Sequence, residues 1–104
     1  MKVTTLAPAR QAIRQTAQYI NREFGRQSKD EFLQEVRKTR ILLAATPHLG
    51  PLEPLLENRP EGFRSFVMNR INKIVYRITD DRIEIVDFWD VRREPEKQAG
   101  NIKR

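Results

Sequence analysis

An α+β domain of order β-α-α-β-β-β, an antiparallel sheet packed on a helical hairpin, is the fold this 104-residue sequence predicts. Three observations lead there. Residues 63–93 fall into strand-length apolar runs broken by turn residues. Residues 8–46 carry two apolar stripes at helical spacing, divided at Gly25. The strand runs are joined too tightly for parallel crossovers, which need a dozen or more residues, so they pair antiparallel.

Lys2–Leu6, rich in Val and Thr, is a short strand candidate. Pro8 follows where a first helical turn begins, a position that needs no N–H, and Ala7 is left as a poor N-cap. Ala9, Ile13, Thr16, Ala17, Ile20 and Phe24 form one stripe, closed by Gly25 as C-cap. Ser28 with Glu31 reads as a capping box opening the second helix. Its core face is Phe32, Val36, Thr39 and Leu43, widened by Leu33, Ile41 and Leu42. Thr46–Pro47 stops it, because a residue before proline is pushed out of the helical region. From Pro47 to Gly62 the chain reads as a loop, pinned to the body by Leu49, Leu52, Leu55 and Leu56.

The three strands are expected over 63–69, 72–79 and 82–89. Asp80–Asp81 makes a tight hairpin, since Asp tolerates left-handed backbone; 69–72 is a looser reversal. Alternation puts Ile74, Tyr76, Ile78, Ile83 and Ile85 on the core face, and Trp89 in the same frame. The opposite face then mixes cations with Phe66, Met68, Val75, Val86 and Phe88. Half-solvated antiparallel sheets are usually polar outside, so a greasy outer face is expected to be a docking surface. Residues 94–104 read as a charged C-terminal tail on a single domain of residues 1–93. Only Ile102 offers a core residue there, and the tail either frays or forms a short helix that orders on binding.

Composition narrows the function. The chain has no cysteine, so disulfides and thiolate metal sites are excluded. Its one histidine, His48, sits beside Pro47 as an ordinary loop residue, and neither metal nor cofactor is expected. No phosphate-binding glycine loop or nucleophile elbow is present. No apolar run reaches membrane-spanning length and no signal-peptide pattern opens the sequence, so a cytoplasmic protein is expected. Twenty basic against 14 acidic residues, a net charge of +6, favours a polyanion or an acidic protein as partner. The excess is uneven, with nine basic and four acidic residues in 1–50 against eleven and ten in 51–104.

The segments Gly62-Phe63-Arg64-Ser65-Phe66 and Ile74-Val75-Tyr76-Arg77-Ile78, then a β-rich run closing on Arg92–Arg93, resemble the RelE/ParE superfamily. These are the toxin halves of bacterial type II toxin–antitoxin (plasmid stabilisation) pairs. The resemblance covers nearly the whole chain and implies a growth-inhibiting toxin with a cognate acidic antitoxin. In the ribosome-dependent ribonuclease branch, cations on the outer sheet face stabilise the charge developing on the scissile phosphate. Arg64, Lys73 and Arg93 match those positions. That branch also uses a tyrosine or histidine near the C-terminus, whereas none follows Tyr76 here, and Phe66 stands where a second lysine is common. Glu94, Glu96 and Lys97 could move a proton there only by another mechanism.

The ParE-like branch instead poisons DNA gyrase through protein contacts and lacks the ribonuclease residues, as this chain does. The resemblance therefore implies first a ParE-like toxin that acts by binding its target. A ribosome-dependent mRNA endoribonuclease and a non-toxic basic protein-binding module are the alternatives. Under these readings Arg64, Lys73 and Arg93 are catalytic if RNA is cut. Phe66, Met68, Val75, Val86, Phe88 and Arg77 bind the antitoxin. Arg92 and Arg93 meet the target, gyrase or ribosome-bound mRNA.

Overall fold

Two helical stripes and three alternating strands need a common interior, and the sheet's helix-facing side supplies it. In a computed structural model, which describes residues 1–93 and 95–102 (side chains of 95–97 excepted), the elements are β1 (Lys2–Thr5), α1 (Ala7–Phe24) and α2 (Arg26–Ala45), then β2 (Arg64–Val67), β3 (Asn72–Ile78), β4 (Arg82–Asp90) and α3 (Pro95–Gly100). A single 3-10 turn, Pro54–Leu56, interrupts the loop before β2. The predicted order is present. Among the described residues no helix is long and apolar enough to cross a membrane.

The helical hairpin turns on one residue. Gly25, at φ 93°, donates to Asn21 O and so closes α1, while its own carbonyl accepts from Lys29 N and opens α2. A left-handed φ favours glycine there. The helix therefore starts two residues before Ser28, and the expected Ser28–Glu31 capping box does not form. Leu6, not Ala7, is the N-cap of α1, likewise without a side-chain cap. Phe32, Val36, Thr39 and Leu43 are buried as expected, whereas Leu33, Ile41, Leu42 and the predicted stripe residue Phe24 are exposed.

The sheet order is β1-β4-β3-β2. β3 pairs antiparallel with both neighbours, as the short connections require. β1 joins the far edge parallel to β4, from Lys2↔Arg82 to Thr5↔Ile85, so the sheet is mixed rather than purely antiparallel. The β3–β4 hairpin closes through Thr79 N–H to Arg82 O at 2.8 Å, with the Thr79 hydroxyl bonding Asp81 and Arg82. Neither Asp80 nor Asp81 takes a positive φ, so threonine side-chain bonding stabilises this turn without left-handed aspartate.

One irregularity reorganises the faces. Tyr76 pairs with Ile85 but Val75 pairs with Asp87, so Val86 is an extra residue in β4. Such a bulge flips the frame of everything beyond it. Ile83 and Ile85 face the helices as predicted, and past Val86 it is Phe88 that follows them. Phe88 packs edge-on against Phe32 of α2, ring centroids 5.8 Å apart, in a cluster with Ala9, Ala17, Val36, Leu43, Ile74, Tyr76, Ile83 and Ile85. Trp89 is buried, but on the opposite face, with Leu56, Phe63, Val75, Ala99 and Ile102. The molecule thus has a helical layer, a sheet and a thin outer layer made from residues 53–59 of the loop and the C-terminal residues.

That outer layer is tied down. Arg59 donates to the carbonyls of Ile102 and Ala99, and Gln98 bonds the backbone N–H and carbonyl of Asp90 at 3.1 and 3.0 Å. Residues 95–102 therefore fold onto the sheet in the free chain. Of the four loop leucines expected to anchor, only Leu56 is buried. Gly50 is held where no side chain fits: a Cβ would lie 2.3 Å from Ser65 O and 2.9 Å from the Tyr76 hydroxyl. That hydroxyl donates to Pro47 O and accepts from Gly50 N–H.

Candidate functional site

The cations expected to share one face are separated by the strand register. Arg64 stands opposite Tyr76 and so shares its helix-facing side, where its guanidinium donates to Gly50 O at 2.8 Å. Lys73 stands opposite Trp89 on the outer side. It pairs with Glu53 and lies over the Trp89 ring, 5.1 Å from the centroid. Arg93 follows β4 as an exposed residue, 3.9 Å from Asp90. The expected clustering of Arg64, Lys73 and Arg93 on one side is therefore corrected. Antiparallel pairing sets Arg64 and Lys73 three β3 residues apart, on opposite faces. Glu94 and the side chains of Glu96 and Lys97 lie outside the described residues.

Glu53 is the residue that sequence reasoning missed. It lies in a polar-looking loop, yet it is only 1% exposed. Burial raises its carboxyl, but hydrogen bonds from Lys73 and Leu55 N–H, the Lys73 charge and Ser65 outweigh this and hold it below the ordinary range. Nearby, burial pushes the Asp87 carboxyl up, against hydrogen bonds from Phe88 N–H and the Trp89 indole at 2.8 and 3.0 Å. The outer sheet face is filled by this network and by Val75, Leu56, Phe63 and Ile102.

The apolar set expected to form an exposed docking face is likewise divided. Phe66, opposite Ile74, packs with Met68 against the helix-side cluster, and Phe88 is buried in it. Val75 is fully buried on the outer side with Val86 partly buried beside it, under the C-terminal residues. Arg77 is held at 2.8 Å by Glu84, which also meets Arg82 at 3.2 Å. The bulge at Val86 and the β2 register account for the split. Arg92 and Arg93 are exposed, as a surface role needs. Arg92 donates to both carboxylate oxygens of Asp90, at 3.1 and 3.0 Å, and these bonds lower the Asp90 carboxyl.

A different surface assembles what the sequence only hinted at. Between β1 and the helical hairpin runs a groove with Val3, Ile13, Ala17, Leu33 and Val36 among its lining. Lys2, Arg10, Arg14, Lys29 and Arg40 also line it, and among the described residues no acidic one does. These are five of the nine basic residues in the first half of the chain. Arg10 and Arg40 cap the Thr5 and Val3 carbonyls of β1 at 2.7 and 3.3 Å, which blunts an otherwise open sheet edge. The Thr5 hydroxyl is buried without a hydrogen-bond partner among the described residues. The uneven charge of residues 1–50 was the available signal. Its convergence on one groove needed the fold.

Over residues 3–95 the chain matches the family described as ParE toxin of type II toxin-antitoxin system, parDE. No curated protein matches it. The fold is similar to a chain of the chromosomal ParDE TA system from P. aeruginosa, with TM-score 0.72, 15% identity and coverage of 88% of this chain and 96% of that one. It is also similar to a YoeB/ParE toxin from Agrobacterium tumefaciens, with TM-score 0.59, 15% identity and coverage of 86% and 98%.

Proposed function

The chain belongs to the ParE toxin family of type II toxin–antitoxin systems, and from that membership we propose that it arrests growth by binding a protein target rather than by cutting RNA. The observation that carries this reading is the engagement of Lys73. A phosphate-stabilising cation must be free to meet its anion. Lys73 instead neutralises a buried carboxylate and covers Trp89, on the face opposite Arg64. DNA gyrase, the target implied by the resemblance to the ParE-like branch, is the first candidate, which places the action in the cytoplasm.

The antitoxin partner, in this reading, lays an acidic amphipathic segment into the β1–α1–α2 groove. The apolar floor supplies burial at roughly 25 cal/mol per Å², and the unopposed cations steer encounter. The test is expression without any partner, read for DNA supercoiling and for message integrity. Growth arrest with lost supercoiling and intact messages is expected. Rapid message cutting on ribosomes would establish a ribonuclease instead, and normal growth a non-toxic binding module.

A further inference from the structure

The geometry points to the end of the sheet where the β2–β3 turn meets the exit of β4 as a second docking surface, one that receives an acidic protein surface of the target. This rests on the toxin reading above and names the face that would perform it. Val91 N–H donates to Ile71 O at 2.7 Å and so joins the turn to the strand exit. The Asn69 side-chain oxygen accepts from Ile71 N and Asn72 N, each at 2.8 Å, and fixes the turn itself. Gln98 holds the Asp90 backbone from the other side.

On this rigid base three aliphatic side chains stand in water: Val67 at 61% exposure, Ile71 at 38% and Val91 at 42%. Arg70, Arg92 and Arg93 are exposed among them, three arginines against one carboxylate, Asp90, among the described residues. Asp90 holds the Arg92 guanidinium in place with two bonds, so part of the entropy cost of binding is met beforehand. Ser65 N–H bonds outward to Pro51 O, so by alternation Val67 also turns its backbone groups to the free edge of β2.

Aliphatic groups between exposed arginines, of which Arg92 is held in place, suit an apolar depression ringed by carboxylates. They suit nucleic acid poorly, because no aromatic ring of the sheet stands free here for base stacking, and Tyr19 of α1, half-exposed near Arg92, already carries Arg22 over its ring and Phe24 against it. Phe66 packs on the helix-side core, and Phe88 and Trp89 are buried. A second copy of the chain would oppose like charges across the contact. The surface is also distinct from the groove. β1 stops at Thr5 opposite Ile85, five β4 residues short of Asp90, roughly 16 Å at strand rise.

The experiment compares the full-length wild type with an Arg70→Glu/Ile71→Ser/Arg93→Glu variant, and with Val67→Ser as a milder probe. The readouts are growth arrest, thermal midpoint, binding to the co-expressed product of the adjacent reading frame, and retention of bulk ribosomal RNA on a filter. All four positions are exposed, so both variants should keep the wild-type midpoint. The triple variant is expected to lose growth arrest by about tenfold or more in surviving colonies, as for loss of a central arginine, while still binding the adjacent product. Val67→Ser should lose part of it. A folded triple variant that arrests growth like wild type overturns the assignment of this surface alone. Loss of arrest together with loss of RNA retention overturns it in favour of nucleic acid. A wild type that never arrests growth overturns the toxin reading, and the target surface with it.

Discussion

Glu53 is a carboxylate shielded from water in a small basic domain, and its partner explains why it remains charged. Its folded pKa lies below the ordinary 4.5. A group shifted in that direction contributes stability above its unfolded value, and the contribution is lost as pH falls through the lowered folded value. Asp87 acts in the opposite sense. Its raised carboxyl makes ionisation costly to the native state, so acidification through that raised value relieves a strain. Glu53→Gln leaves Lys73 against Trp89 without a counter-charge. It should cost about 3 kcal/mol near neutral pH, as expected for breaking one side of a buried pair. Below pH 4.5 its stability should fall less steeply than that of wild type. A Glu53→Leu/Lys73→Met variant should recover most of the loss, because it removes both charges together. Urea unfolding at neutral and acid pH reads all three. Equal acid slopes for Glu53→Gln and wild type would show that the pair does not titrate as described.

At the scale of elements, the decisive device is the single extra residue in β4. Without it Trp89 would point into the helical core and Phe88 outward. With it Trp89 becomes the centre of the outer layer, covered by Leu56, Ala99 and Ile102. The sole tryptophan is therefore a reporter of the C-terminal cover. A chain ending at Arg93 loses Ala99 and Ile102 and the acceptors of Arg59. Its Trp89 emission should shift to longer wavelength, and unfolding should become easier by about 2–4 kcal/mol, the range for removing a buried aliphatic contact. Unchanged emission would mean that the cover contributes no shielding. Gly25 shows the same economy in the helical layer, since one left-handed residue both ends α1 and begins α2.

Across the whole molecule, charge and apolar surface are distributed by the fold rather than by the strands alone. The helical half carries the excess of cations, and the β1–α1–α2 groove gathers five of them around an apolar floor. Arg14→Glu with Lys29→Glu reverses two rim charges that make no ion pair among the described residues. Association with the acidic partner should slow by about tenfold at low ionic strength, and its dependence on salt should flatten. Stopped-flow association at several salt concentrations reads both. An unchanged on-rate would move the partner to another face.

The sequence by itself determined the element order, the helix-facing residues and the family resemblance. Those rest on local signals: a period of 3.6 in Phe32, Val36, Thr39 and Leu43, a period of two in Ile74, Tyr76, Ile83 and Ile85, and loops too short for parallel crossovers. Alternation holds only until the register breaks, and the bulge at Val86 leaves no mark in the pattern, since Val86, Phe88 and Trp89 are apolar in either frame. For that reason the faces of Phe88 and Trp89, and with them the supposed exposed patch, were illegible beforehand. The tertiary structure alone decided that β1 lies parallel beside β4, that Glu53 reaches Lys73 across 20 residues, and that cations from β1, α1 and α2 meet in one groove. Contacts between distant segments depend on how layers pack, and a linear spacing rule carries no term for that packing.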